Sequence, residues 1–285
     1  MIKLSIITIN YNNAEGLQKT MKSVFAQTAE EFEYIVIDGA STDESKEVII
    51  QYAHQFDSPT LRLKWLCEPD NGIYHAMNKG IKMAQGEYVQ FLNSGDLLAT
   101  QDVTKKMLRD LESKEQKTKN KDKIAILYGN MLKSLPKGIL CDRGLAGKQP
   151  AMIDFIRGTI NHSPSYIRRS LYDKYGLYDE KLKIVSDWKW FLQVVVFGEE
   201  TTAYADIDVT IFDMHGISST NHALDKAERE QVLSELLPAA VMADYKQWAF
   251  PIEQMKRLNR YWLTRKLVWW MERGLFKWEK WTKRK

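Results

Sequence analysis

Four strand-like segments in the first hundred residues, three apolar runs and one that alternates, each lead into polar or acidic residues, and the three intervals between them carry helical spacing. Leu4–Ile9 runs into Asn10-Tyr11-Asn12-Asn13, Tyr34–Ile37 into Asp38-Gly39, Leu61–Cys67 towards Asp70-Asn71-Gly72, and Tyr88–Leu92 into Asn93-Ser94-Gly95-Asp96. Leu4–Ile9, Tyr34–Ile37 and Tyr88–Leu92 read as buried strands, and Leu61–Cys67 alternates as a further strand. In the intervals, Gly16–Ala26 sets Leu17, Met21, Val24 and Phe25 on one helical face, and Asp43–Tyr52 and Gly72–Ala84 have the same period. Strand and helix in alternation predict an α/β fold with a mostly parallel, Rossmann-like sheet. Ligands of such sheets sit beyond the carboxyl ends of the strands. The fold therefore gathers Asp38, Asp70 and Asp96 at one rim.

Carboxylates brought to one rim repel each other unless a cation joins them. Mg²⁺ or Mn²⁺, hard ions with oxygen ligands, meets that need and would also hold a diphosphate. Asp43 has a separate explanation, because Ser41-Thr42-Asp43-Glu44 fits a capping box at the start of a helix. The second half is less regular. Lys114–Lys123 is a charge run that reads as a surface loop, Ile124–Tyr128 and Ala203–Phe212 as strands, and Asp187–Phe197 and Asp225–Tyr245 as helices. The only cysteines, Cys67 and Cys141, exclude a disulfide scaffold and a cysteine-rich zinc module. No run approaches the ~18 apolar residues of a membrane span. The amino terminus shows no signal-peptide pattern, so a cytoplasmic location is expected.

The motifs at the strand ends resemble those of a known family. Leu4–Asn12, Val36–Asp43, Asn71–Gly80 and Phe91–Asp96 look like the family 2 glycosyltransferases, inverting enzymes with the GT-A fold, and their order and spacing match over residues 4–98. The likeness continues more weakly through Asn161-His162-Ser163, Gly176–Glu180 and Ser186-Asp187-Trp188 to His215–Ser218. It implies a glycosyltransferase domain over residues 1–222, with a nucleotide-binding half at 1–115 and an acceptor half at 124–222. Residues 223–285 would be a helical extension. By the same resemblance Tyr11 lies against the base of a nucleotide-sugar, a UDP-sugar, with Asn10 backbone at the nucleoside and Asp38 accepting from the base. Asp70 approaches the nucleotide, Asn78 braces the adjacent helix, Ser94 and His162 line the donor pocket, Asp96 and His215 hold the metal, and Asp187 is the catalytic base. Three departures stand out: Gly39 replaces a second acid, the metal motif keeps the single carboxylate Asp96, and Met77 stands where Arg is common.

The chemistry is coherent on its own terms. A sugar diphosphate already carries a good leaving group, which a divalent cation can neutralise. One carboxylate must then take the proton of the acceptor hydroxyl. Asp187 suits this role, at a helix start where anions are stabilised by roughly 0.3–1 kcal/mol. Two other classes of function compete with this one. A nucleotidyltransferase would show a glycine-rich, basic loop after the first strand, and Ile7–Gly16 has none. A dinucleotide fingerprint is likewise missing there. A non-catalytic nucleotide-sugar or glycan-binding protein on a degenerate scaffold is the other rival.

The tail differs from the body. Residues 256–285 hold eleven Lys and Arg against two Glu, while the other 255 residues hold thirty basic and thirty-five acidic side chains. Leu263, Leu267, Trp270, Met271, Gly274, Trp278 and Trp281 recur at three- and four-residue spacing, predicting a Trp-striped helix from about Glu253. A basic helix with Trp on its apolar face suits the interface of an anionic membrane. The expected partners are therefore a nucleotide-sugar donor, a glycan or lipid-linked acceptor, and the inner membrane surface. Packing on the protein or a homo-oligomer contact is the other use of such a helix. No nucleic-acid motif is present.

Overall fold

The computed structural model describes residues 2–55, 62–117, 123–135, 138–147, 149–214, 216 and 220–282. It contains two compact units, residues 1–229 and 230–285. His215, Leu61 and the charged residues 118–122 lie outside the described residues.

The first unit is built on a nine-stranded sheet ordered β3-β2-β1-β4-β8-β6-β9-β5, with β7 paired to β6. Strands β1 (Leu4–Asn10), β2 (Phe32–Asp38), β3 (Arg62–Cys67) and β4 (Tyr88–Phe91) are parallel neighbours. Helices α1 (Ala14–Phe25), α2 (Ser45–Gln55) and α3 (Ile73–Met83) connect them, as the alternation predicts. Both β1 and β2 are buried along their whole length, which is why they read as unbroken apolar runs. Helix α3 packs closely on β1, and a Cβ at Gly80 would come within 2.5 Å of Ile7 Cγ2. The parallel register sets Asn10 directly beside Asp38.

The second half of the sheet is mixed. β5 (Leu97–Leu98) pairs antiparallel with β9 (Thr202–Phe212), and β8 (Ser165–Arg168) is antiparallel to both β4 and β6 (Ile126–Leu135). β7 (Gly138–Asp142) forms a hairpin with β6. Residues 114–117 are not loop but the last turn of α4 (Val103–Lys117), whose face of Val103, Met107, Leu108 and Leu111 is buried. α5 (Met152–Arg157), α6 (Ser170–Tyr175) and α7 (Ser186–Leu192) complete the body, and a π-helical turn at Gln193–Phe197 continues α7.

The predicted helix at Asp225–Tyr245 divides at Pro238. α8 (His222–Leu236) begins inside the first unit, so that unit reaches past residue 222. α9 (Ala239–Arg260) and α10 (Trp262–Thr282) belong to the second unit. The single helix expected from Glu253 is interrupted at Tyr261, whose backbone is extended. On α10, Leu263, Leu267, Trp270, Met271 and Trp278 are all exposed, and Lys266 and Arg273 lie over the rings of Trp262 and Trp269. The Trp281 side chain lies outside what is described. No helix of the described residues is long and apolar enough to cross a membrane.

Candidate active site

Two cavities open at the carboxyl ends of the parallel strands. The larger, about 810 Å³, is walled by Tyr11, Gly39, Ala40, Asp70, Gly72 and neighbouring residues. The smaller, about 350 Å³, runs past Asp96, Asp213, His162, Asp187 and Arg229. Ile73, Asn93 and Ser94 line both, so the two form one continuous site.

The larger cavity has a stiffly tied floor. Asn10 Nδ2 donates to Asp38 Oδ1 at 2.8 Å and to Ser45 Oγ at 2.9 Å. Asp38 also accepts from Ser41 Oγ, Ser41 N and Cys67 Sγ. Burial pushes the Asp38 carboxyl up, but these donors outweigh it and hold it below the usual range. Asn12, with a left-handed backbone, accepts from Thr42 N at 2.8 Å, and Asp43 accepts from Ala14 N at 2.9 Å. The loop after β1 is thereby stitched to the loop after β2, and it holds Tyr11 out into the cleft, 68% exposed. Asp70 sits opposite, held by Lys79 Nζ at 2.6 Å. A Cβ at Gly39 would come within 3.1 Å of Asp70 Oδ2 and 3.2 Å of Tyr11 Cδ2, so glycine keeps this part of the cleft open.

Two of the expected site residues line neither cavity. Asp38 is fully buried with four protein donors and is absent from the cleft wall, so its visible work is to fix the loop that carries Tyr11. Asn78 lines neither cavity. Its amide accepts from Tyr178 N and donates to Tyr178 O and Glu180 Oε1, clamping the loop after α6. That clamp matters indirectly, because Tyr178 Oη lies 2.9 Å from His162 Nε2 and 2.8 Å from Tyr172 Oη. His162 is stacked on Phe91 and lines the smaller cavity. Enclosure lowers its pKa and so favours the neutral imidazole, while the Asp187 charge works the other way.

At the junction, Ser94 lines both cavities and Asp96 is buried at the wall of the smaller one. The β5–β9 pairing brings Asp213, which follows β9, against Asp96. Asp213 N donates to Asp96 Oδ1 at 2.9 Å, and a Cβ at Gly95 would stand 2.6 Å from Asp213 Oδ2. Burial pushes the Asp96 carboxyl up to about 7, its bond from the Asp213 amide working against this and the Asp213 charge with it. Among the described residues no group of three or more His, Cys, Asp or Glu is gathered to hold a metal. Asp96, buried, and Asp213, half-buried, do supply hard oxygen donors to the cavity, and that donor set fits Mg²⁺ or Mn²⁺.

Asp187 stands in the first turn of α7, half-buried on the wall of the smaller cavity. Tyr74 Oη lies 2.9 Å from Asp187 Oδ1. Beyond it Trp188 is buried, with the Arg229 guanidinium 4.7 Å over its ring and Arg229 paired to Asp225.

Known proteins share this plan. Residues 5–117 match the family described as glycosyl transferase family 2. A glycosyltransferase of Mycobacterium tuberculosis is 32% identical over 225 residues, 76% of this chain and 77% of that one. The chain belongs to glycosyltransferase family 2. The PGL/p-HBAD biosynthesis glycosyltransferase of Mycobacterium bovis is 23% identical over 274 residues, 94% of this chain and 97% of its own. In fold, this family 2 glycosyltransferase is similar to S. aureus TarS in complex with UDP-GlcNAc, with TM-score 0.61, 17% identity, and 84% and 68% of the two chains covered. It is also similar to the mannosyltransferase PcManGT of Pyrobaculum calidifontis with GDP-Man and Mn²⁺, with TM-score 0.59, 16% identity, and 93% and 82% covered. The fold is GT-A.

Asp213 and Tyr74 line the smaller cavity, and Glu228 accepts from the backbone amides of Lys183, Ile184 and Val185 just before Asp187. Asp213 had a legible signal, an acid directly after an apolar strand and two positions before His215. Tyr74 and Glu228 had none. Tyr74 looks like one more apolar position of α3, and Glu228 like one more charge on α8.

Proposed function

We propose that this family 2 glycosyltransferase is an inverting enzyme that moves a sugar from a UDP-sugar to a hydroxyl of a glycan or lipid-linked acceptor. The acceptor would serve synthesis of a cell-surface polysaccharide or glycolipid, at the inner face of the membrane. The observation that carries this reading is the position of Asp187. It lines the smaller cavity together with Asp96 and Asp213, and that cavity shares Ile73, Asn93 and Ser94 with the Tyr11 cleft.

In this mechanism Tyr11 offers its exposed ring to the base, and the Asn10–Gly39 edge and Asp70 border the nucleoside. Ser94 and His162 border the sugar. Asp96 and Asp213, with His215 from the same segment, would hold a divalent cation, which when bound neutralises charge on the departing diphosphate. Asp187 takes the proton of the acceptor hydroxyl as that oxygen attacks the anomeric carbon from the face opposite the diphosphate. The carbon–oxygen bond to phosphate breaks, UDP leaves, and the linkage is inverted. No second carboxylate beside Asp187 is needed as a nucleophile, unlike the paired acids of glycoside hydrolysis.

The membrane part of the reading rests on α10 and on relatives. Exposed Trp and Leu side chains with flanking Lys and Arg suit an anionic lipid surface. The name of the mycobacterial relative, which links it to PGL/p-HBAD biosynthesis, is consistent with a lipid acceptor. The test is a thermal-shift screen of UDP-, GDP- and dTDP-sugars with Mn²⁺, followed by nucleotide release with the ligand that binds. A ligand of the native state raises stability in proportion to its affinity. Stabilisation and Mn²⁺-dependent release with a UDP-sugar supports the proposal, and binding without release by any donor supports a binding protein instead.

A further inference from the structure

The segment that presents Asp187 is held from two sides. Tyr74, on α3, places its hydroxyl 2.5 Å from the Ile184 carbonyl oxygen and 2.9 Å from Asp187 Oδ1, across 110 and 113 positions of sequence. Glu228, on α8, accepts from the backbone amides of Lys183, Ile184 and Val185 at 2.7, 2.9 and 3.2 Å. Both side chains are buried. Among the described residues, Tyr74 gives the one side-chain hydrogen bond the Asp187 carboxylate receives, its single proton shared between Asp187 Oδ1 and the Ile184 carbonyl oxygen. Burial and the neighbouring Asp187 charge hold the Tyr74 hydroxyl well above the usual tyrosine range, so it is present as a donor.

We infer that Tyr74 is a positioning residue for the base, with Glu228 as the opposing anchor. This rests on Asp187 being the base. A carboxylate in the first turn of a helix can rotate about its side-chain bonds, and a donor on Oδ1 fixes the plane and leaves Oδ2 for the acceptor hydroxyl. Glu228 holds the three amides that precede α7, so the backbone beneath the carboxylate does not drift. Small displacements at such a site cost up to about 10²-fold in rate. The clamp also explains why the first half of α8 belongs to the catalytic unit and not to the extension.

The test compares two nucleophiles in the full chain with the nucleotide-sugar that the binding screen selects. Transfer to a hydroxyl needs the base. Azide is already an anion and needs none; its nitrogen bonds to the anomeric carbon as the carbon–oxygen bond to phosphate breaks. Tyr74→Phe is expected to lower kcat for hydroxyl transfer by roughly 10–100-fold, with donor KM and azide turnover unchanged. Glu228→Gln, which keeps one acceptor oxygen, should lose less than Glu228→Ala. Equal loss of hydroxyl and azide turnover in Tyr74→Phe would assign a structural role and overturn the inference, as would no loss at all. Asp187→Asn is the separating control: full activity there overturns the base assignment itself, whereas an inactive Asp187→Asn beside an unimpaired Tyr74→Phe overturns only the clamp.

Discussion

Asp213 donates its backbone amide to Asp96 Oδ1 at 2.9 Å, although the two residues are 117 positions apart. The β5–β9 pairing brings about this contact, and both residues line the smaller cavity. Asp96→Ala is therefore expected to abolish Mn²⁺-dependent UDP binding, and Asp213→Ala to weaken it by at least roughly tenfold, about 1.4 kcal/mol. Chelation of metal from the unmodified chain should reproduce the Asp96→Ala result. Calorimetry of UDP with and without Mn²⁺ measures all three. If Asp213→Ala keeps full Mn²⁺ dependence, the second carboxylate has no part in the metal site.

Asp187→Asn should bind donor normally and lose transfer by roughly 10²–10⁴-fold, the usual worth of a general base. The asparagine keeps the contact to Tyr74 and removes the proton acceptor. The product from an α-linked donor should be β-linked. Proton NMR of the anomeric signal decides it, and a retained α-linkage would rule out the one-base mechanism.

How legible this site is in the sequence depends on how local each contact is. Asn10 and Asp38 were readable because they end parallel strands buried on both faces, which are apolar runs, and Asp70 and Asp96 because they lie in the polar loops just beyond β3 and β4. What each carboxylate does there was less readable. Asp38 and Asp96 are both buried, yet hydrogen-bond donors lower the pKa of one while burial raises that of the other. The Tyr74–Asp187 and Glu228–Ile184 contacts join residues 113 and 44 apart, and nothing in either neighbourhood announces the partner. The same logic explains α4, whose dense Lys and Glu obscured a regular buried face of Val103, Met107 and Leu111.

Gly39→Ala tests the cleft. The added methyl would press on Asp70 Oδ2 and the Tyr11 ring from just over 3 Å, and neither lies in the core. UDP affinity should fall roughly 3–10-fold, on the order of 1 kcal/mol, with little change in melting temperature. An unchanged dissociation constant in calorimetry would mean that the base lies elsewhere.

Acid should unfold the protein partly through Glu33. This carboxylate is fully buried and accepts from Ser5 Oγ, Gln85 N and Lys64 Nζ. Burial pushes its pKa up, but those donors win and hold it below the usual range. A group depressed on folding contributes stability above its unfolded pKa, about 4.3, and loses it as pH falls through the folded value. Glu33→Gln should lower stability at pH 7 by about 1–3 kcal/mol, and its deficit should shrink below about pH 4. Chemical denaturation of both proteins across pH 3–7 measures that difference, and a constant deficit would show that the ionised form is not what stabilises.

The last prediction concerns α10. Its exposed Leu263, Leu267, Trp270, Met271 and Trp278 would have to meet water along the helix, while Lys and Arg crowd the same segment. Each Lys or Arg near an anionic surface contributes about 1 kcal/mol, and Trp favours the headgroup level. Vesicles containing phosphatidylserine should therefore carry the full chain upward in a flotation gradient, less so at high salt because the attraction is screened. Leu267→Glu with Trp270→Glu should leave the protein at the bottom while nucleotide release in solution stays unchanged. Neutral vesicles should bind weakly. If the unmodified chain stays at the bottom with anionic vesicles at low salt and sediments as an oligomer, α10 is a contact between copies, and the lipid-linked acceptor loses this support.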